Sequence, residues 1–313
     1  MRIGIVVDSA CDLPPDYIER HGIVMLPISV RIGETVLADH RDEQATLSFL
    51  HSDVAKRAAE AETIPYTAQQ IRDLFLQRLV IDFDHVFCTT ISSTRSPIFD
   101  NATQASFAIL NDYKPVRQAA GYTTPFALRV VDSRNLFAAQ AVPAVEAVRL
   151  REAGASVQAI RERMEHVADH LHGYLVPRDL YYIRARGRAK GERSVGLLSA
   201  ALGSALDIKP ILHCHRGQTA PVAKVKGFEQ ASEHLFGAVA KRVRHGLVTP
   251  VLCVSYGGEL SELQALPGYR ELRLTCAEHD VELHESVMSL TGMINVGKGA
   301  VAVGYADVPH AID

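Results

Sequence analysis

The sequence predicts an α/β protein of two domains: an N-terminal, mainly parallel sheet with helices on both faces, and a C-terminal α+β mixed sheet with helices. Three observations predict it. Short apolar runs alternate with helical patterns through the first half, as expected of parallel strands covered on both faces. The pattern changes after Gly154, and 313 residues exceed what one hydrophobic core usually supports. The boundary falls between 153 and 154, where Glu152-Ala-Gly-Ala-Ser156 reads as a helix end followed by a new N-cap at Ser156.

In the first domain, residues 3–7 form an apolar strand ending in Asp8-Ser9. A second strand is expected over 24–30, interrupted by Pro27, a third over 86–91, and a fourth over 128–131 ending in Asp132-Ser133. Helices are expected over 45–59, 67–79, 97–111 and 136–152, the last kinked or split at Pro143. Polar residues at the carboxyl ends of such strands gather in one crevice, the usual place for a ligand. Here they are Asp8, Ser9, Ser92, Ser93, Asp132 and Ser133. In the second domain, helices are expected over 157–170, 194–202 and 228–244, and over 261–276 with a break at Pro267-Gly268. Strands are expected over 174–176, 251–255, 281–285 and 300–305, with a hairpin of 208–213 and 220–224 around Arg216-Gly217.

Composition narrows the function. A net charge of −3 with 22% charged residues gives no concentrated basic surface, so no nucleic-acid partner is expected. No segment approaches the roughly 20 apolar residues of a spanning helix, and the apolar run at the N-terminus is too short for a signal-peptide core. Five cysteines, scattered and without a Cys-x-x-Cys pair, fit reduced thiols in the cytoplasm.

Ser96-Pro97 before an amphipathic run is a helix start, with Ser96 as N-cap and Pro97 at the first helical position. Its free N–H groups and the hydroxyls of Ser92, Ser93 and Thr94 make either an anion cradle or a loop that caps its own helix. Thr63 lies in an extended stretch before Pro65. Arg184, Arg186 and Arg188 bracket Gly187, as cations at a helix C-terminus or as partners for an anion. Gly297-x-Gly299 permits a tight turn or a close backbone approach. His213 and His215 share a strand face with Cys214 on the other, and no partner pair stands at zinc spacing, so no metal centre is expected. The dinucleotide, phosphate-loop and nucleophile-elbow patterns do not occur, and no cofactor is expected.

Taken together, these segments resemble the DegV family of fatty-acid-binding proteins over nearly the whole chain. The resemblance rests on Asp8-Ser-Ala-Cys-Asp-Leu-Pro14, Leu26-Pro-Ile-Ser-Val30, Thr63, Ile91 through Ser96, and Val131-Asp-Ser133. It continues through Ile183-Arg184, Gly187-Arg188, Gly203 through Pro210, and Gly297-x-Gly299-Ala300. The resemblance implies a long-chain fatty acid at the junction of the two domains, its tail in an apolar tunnel. It places the carboxylate at Thr63 and Ser96, with Ser92, Ser93 and Asn295 beside them and Arg184 and Arg188 at the head group or a docking surface. It further implies a non-catalytic subunit whose bound carboxylate is phosphorylated by a separate ATP-dependent kinase, with at most transient contact with a membrane surface.

The chain departs from the family pattern at Ile64 and Pro65, where Ser-Gln is usual, and at Pro97, where glycine is usual. At Asn295 many members carry histidine. Residues 112–124 and 190–193 read as insertions, each a solvated loop, a lid or a contact surface. Two other readings stay open: an enzyme using Ser93 or Ser96 as nucleophile on a small anionic substrate, and a ligand-free docking protein using residues 184–190.

Overall fold

The computed structural model describes residues 1–52, 60–183 and 207–311. The first half carries β1 (Ile3–Asp8), α1 (Pro15–Arg20), β2 (Val24–Leu26), β3 (Ile28–Ile32), β4 (Thr35–Asp39), α2 (Glu43–Leu50) and β5 (Glu62–Pro65). Next come α3 (Ala68–Leu74), a π-helical turn (Phe75–Leu79), α4 (Val80–Asp82), β6 (His85–Thr90), α5 (Ile98–Ala108), α6 (Tyr113–Ala119), β7 (Ala127–Asp132) and α7 (Phe137–Glu152). The second half carries α8 (Val157–Asp169), β8 (Leu171–Val176), β9 (Ile208–His215), β10 (Gln218–Lys226), α9 (Phe228–His245) and β11 (Val251–Tyr256). It closes with α10 (Leu260–Gln264), α11 (Tyr269–Glu278), β12 (Glu282–Val287), α12 (Leu290–Val296) and β13 (Val301–Ala306).

The apolar strands of the first half form a parallel sheet in the order β2-β1-β6-β7. The expected second strand divides at Pro27. Proline has no N–H to continue a ladder, so β2 stays in the parallel sheet and β3 leaves it. A three-stranded antiparallel sheet, β4-β3-β5, results. Strands β4 and β5 were not foreseen, because both are short and β4 is largely exposed. The second half forms a mixed sheet in the order β10-β9-β8-β13-β11-β12.

Helix α7 joins the two layers. Every residue from Phe137 to Val148 is buried, and its side chains pack against Ile5, Val7 and Phe87 of one sheet and Cys253 and Ala302 of the other. A helix apolar on all sides belongs inside. Pro143 leaves it continuous rather than split, because packing around the helix outweighs the roughly 3 kcal/mol that an internal proline costs. Small residues set the spacing: a Cβ on Gly304 of β13 would lie 2.1 Å from Ala139 Cα.

Residues 113–119 are not a solvated loop. They form α6, docked by Arg117, which is 1% exposed. Its guanidinium donates to the carbonyls of Val80 and Phe83, each at 2.6 Å, to the Thr124 carbonyl at 2.8 Å and to Asp84 at 2.7 Å. The insertion at 190–193 lies outside the described residues. All five cysteines are free and buried. Among the described residues no helix is long and apolar enough to cross a membrane.

Candidate functional site

The carboxyl ends of β1, β6 and β7 meet as the parallel sheet requires, and much of their polar chemistry is spent holding the crevice together. Asp8 is fully buried and accepts from the N–H groups of Ala10 at 3.0 Å and Ile91 at 2.6 Å. Burial pushes its carboxyl up to about 6, against the lowering effect of the Ile91 N–H. Ser9 Oγ accepts from the Ile28 N–H at 2.9 Å, holding the turn at Pro27 where β3 departs. Asp8 and Ser9 thus fasten the ends of three strands.

The loop after β6 binds a carboxylate of its own. Ser93 Oγ donates to Asp132 at 2.6 Å, and the Ser93 N–H lies 3.3 Å from both carboxylate oxygens. Ser92 Oγ pairs with Thr94 Oγ1 at 3.0 Å. Thr94 Oγ1 lies 3.0 Å from the Gly217 carbonyl, and Arg95 donates to Thr219 Oγ1 at 3.0 Å. These last contacts set the loop on the β9-β10 hairpin, so the two halves of the chain meet there. Ser96 is half-buried, and its Oγ accepts from the Ile98 N–H at 3.3 Å; α5 begins one residue later than expected, with Pro97 rather than Ser96 at the N-cap, its carbonyl accepting from the Asn101 N–H at 2.9 Å.

Thr63 sits on β5, directly opposite Val30 of β3. Paired residues of neighbouring strands point to the same face. Val30 packs there with Ile32, Phe49, Leu290 and Ile294, so Thr63 faces an apolar layer roofed by α2 and α12. Asn295, next to Ile294 on α12, is half-buried and donates to the Thr291 carbonyl at 2.7 Å. The end of β5 is tied to α5 by Asn101, whose amide donates to the Tyr66 carbonyl at 2.8 Å. A pocket of about 450 Å³ opens beside this layer, with Leu37, Phe49 and Leu290 in its walls and Asp39, His40 and Asp42 at its polar side. Arg184 and Arg188 lie outside the described residues.

Sequence reading missed the junction that seats α12. Asp12 and Arg41 are 0% and 3% exposed, with Arg41 Nη1 3.5 Å from Asp12 Oδ1. Asp12 also accepts from Ser255 Oγ at 2.6 Å and from the Ser289 N–H at 2.9 Å. Arg41 donates to the carbonyls of Leu13 at 3.0 Å and Val287 at 2.9 Å. Asp39 accepts from the Thr291 N–H at 2.8 Å, in the first turn of α12. Burial raises the Asp12 carboxyl even though Arg41 opposes it. One local sign was available: Asp12 stands between Ala10-Cys11 and Leu13-Pro14, an acid set among apolar neighbours. Gly297 and Gly299 have left-handed φ values of 90° and 75°. A Cβ on them would meet the Tyr182 ring at 2.6 Å and Arg178 at 2.8 Å, so a close side-chain approach explains both glycines.

Comparison with known proteins follows this architecture. Residues 2–308 match the DegV family, described as "Uncharacterised protein, DegV family". A DegV domain-containing protein of Xanthomonas axonopodis pv. citri is 70% identical, over 99% of each chain. Among solved structures, a fat acid (stearic acid)-binding protein from Eubacterium ventriosum superposes with a TM-score of 0.76 at 20% identity, over 97% of this chain and 98% of that one. DegV, a fatty acid binding protein from Bacillus subtilis, superposes with a TM-score of 0.75 at 20% identity, over 98% and 99%. With a family match across nearly its full length and a 70% identical relative in that family, the chain belongs to the DegV family.

Proposed function

We propose that this protein binds a long-chain fatty acid between its N-terminal domain (1–153) and C-terminal domain (154–313), and presents the carboxylate to a separate ATP-dependent kinase. The observation that carries the reading is the placement of Thr63 opposite Val30, a hydroxyl on the apolar face that α12 covers. An acyl chain gains about 0.8 kcal/mol per buried methylene, so the apolar layer sets affinity. Each hydrogen bond to the charged head adds about 1.5–3 kcal/mol and fixes its orientation. In this reading Thr63, Ser96 and the start of α5 hold the carboxylate, with Asn295 at the rim.

Ser92, Ser93, Asp8 and Ser9 shape the crevice through the bonds described above. Arg184 and Arg188 remain assigned to the head group or the kinase contact. In this reading the chain acts as a binding subunit, with the Ser93 hydroxyl donating to Asp132 and the Ser96 hydroxyl accepting a backbone N–H. The names of the related solved structures, which specify fatty acid binding, support the ligand class.

Mass spectrometry of organic extracts from the purified protein tests the reading. We expect an equimolar fatty acid, and its loss from the Thr63→Ala, Ser96→Ala double variant with the fold intact by circular dichroism. An extract free of fatty acid, or unchanged occupancy in the double variant, refutes the site.

A further inference from the structure

The mixed sheet carries a cluster of histidines that fatty acid binding does not use. His213 and His215 project from one face of β9. The β8-β9 register, with Gly173 opposite Cys214 and Tyr174 opposite His213, brings His172 of β8 beside them. One ring nitrogen from each of the three lies within 4.8 Å of the others. The rings are stacked, with centroids 5.0 Å apart for His172 and His213 and 4.6 Å apart for His172 and His215. His310 closes the group, its ring centroid 4.3 Å from that of His172.

From this geometry we infer that His172, His213 and His215 form a binding site for a divalent transition-metal ion of the zinc, nickel or copper class. Three features argue for it. First, the closest pair, His172 Nδ1 and His213 Nε2, stand 2.9 Å apart. Two nitrogens each about 2.1 Å from one ion sit roughly 3.0–3.4 Å apart, so a small expansion here and a small contraction toward His215 complete the set.

Second, the ring of His215 is already oriented as ligating imidazoles are. Its Nδ1 lies 2.7 Å from the Leu171 carbonyl, so Nδ1–H donates to it and the Nε2 lone pair is free for a metal. His310 also turns Nδ1 to a carbonyl, that of Val308 at 2.8 Å, but its Nε2 is taken by the Tyr305 hydroxyl at 2.8 Å, so it packs beside the three rather than joining them.

Third, His172 is 1% exposed, so its ring is held by packing among the other imidazoles. His213 and His215 are half-exposed, which leaves the ion an entry path and an open coordination position. Along-chain spacing gave no sign of the site because its third ligand is 41 residues away on the neighbouring strand.

The test uses the full chain stripped with a chelator, then titrated with Zn²⁺ or Ni²⁺ in a calorimeter, with bound ion counted by elemental analysis. We expect one equivalent per chain and a rise in melting temperature on binding. The His213→Gln, His215→Gln variant alters half-exposed positions and avoids unfolding the core. It should lose that equivalent and the thermal shift while keeping its circular dichroism spectrum and its lipid content.

A second pair, His166 and His170, lies one helical turn apart with ring centroids at 4.3 Å, so His166→Gln, His170→Gln serves as the control. Binding that survives in the first variant and vanishes in the control overturns the inference, as does a wild-type protein that takes up no equivalent of either ion. Loss of lipid alone bears on the fatty acid site and leaves this one standing.

Discussion

Asp12→Ala removes a fully buried carboxylate on which Ser255 Oγ, the Ser289 N–H and Arg41 converge at 2.6, 2.9 and 3.5 Å. Two hydrogen bonds to a charged acceptor are worth about 1.5–3 kcal/mol each. Their loss also strands the Arg41 guanidinium, 3% exposed, with only carbonyls for partners among the described residues. Against this, the cost of burying the carboxylate itself disappears, and the upward push on its pKa shows that this cost is real. Breaking one side of a buried pair leaves a net loss of about 3–5 kcal/mol. Asp12→Asn keeps the shape and one acceptor, so it should lose about 1–3 kcal/mol.

Urea unfolding followed by far-UV circular dichroism at neutral pH measures both. Amide exchange of α12, which the junction seats, should accelerate in Asp12→Ala before global unfolding does. The exposed pair Arg20–Asp16, at 63% and 69% exposure, supplies the control, since exposed pairs contribute little. If Asp12→Ala cost less than about 1 kcal/mol, against the 3–5 expected of a broken buried pair, the junction would not be what holds α12, and the placement of Asn295 would need another cause.

Arg117→Ala should destabilise by about 3–5 kcal/mol in the same assay, because it takes a donor from the carbonyls of Val80, Phe83 and Thr124 at once, while Asp84 keeps Arg2 and Thr124; Arg117→Lys should restore little, since a single ammonium cannot span the fork of acceptors. Asp8 gives a pH dependence of opposite sign to that of an ordinary carboxylate: its carboxyl rises from 3.8 to about 6 on burial, so its contribution to stability is complete below the lower value. That contribution is lost as pH climbs through the upper one, by about 3 kcal/mol in all at roughly 1.4 kcal/mol per pH unit. A labelled-aspartate carboxyl titration by NMR checks it, and a midpoint near 4 refutes it.

Most of the fold was legible in the chain because its signals are local. Apolar runs leading into Asp8, Ser92 and Asp132 marked three parallel strands, and Arg216-Gly217 marked the β9-β10 hairpin, where both residues adopt left-handed φ values of 50° and 77°. Helix α7 was expected, but its passage unbroken through Pro143 was not: local propensity argues for a kink, and burial on every side overrules it. Likewise α6 looked like a loop because the anchor of Arg117 lies 33 to 37 residues back, at Asp84, Phe83 and Val80.

The candidate site divides in the same way. By itself the sequence determined the type of sheet, the strand-end crevice, the start of α5 to within one residue and the family, all written in short stretches of neighbouring residues. Tertiary structure decided which hydroxyls hold the protein together and which face the apolar layer. It set Ser93 on Asp132, Ser9 on the Ile28 N–H, Thr63 opposite Val30, and His172 beside His213 and His215. The physical reason is that a hydrogen bond or a ligand contact is satisfied by distance in space. Strand order and register, which bring remote segments to that distance, are set by the packing of the whole chain.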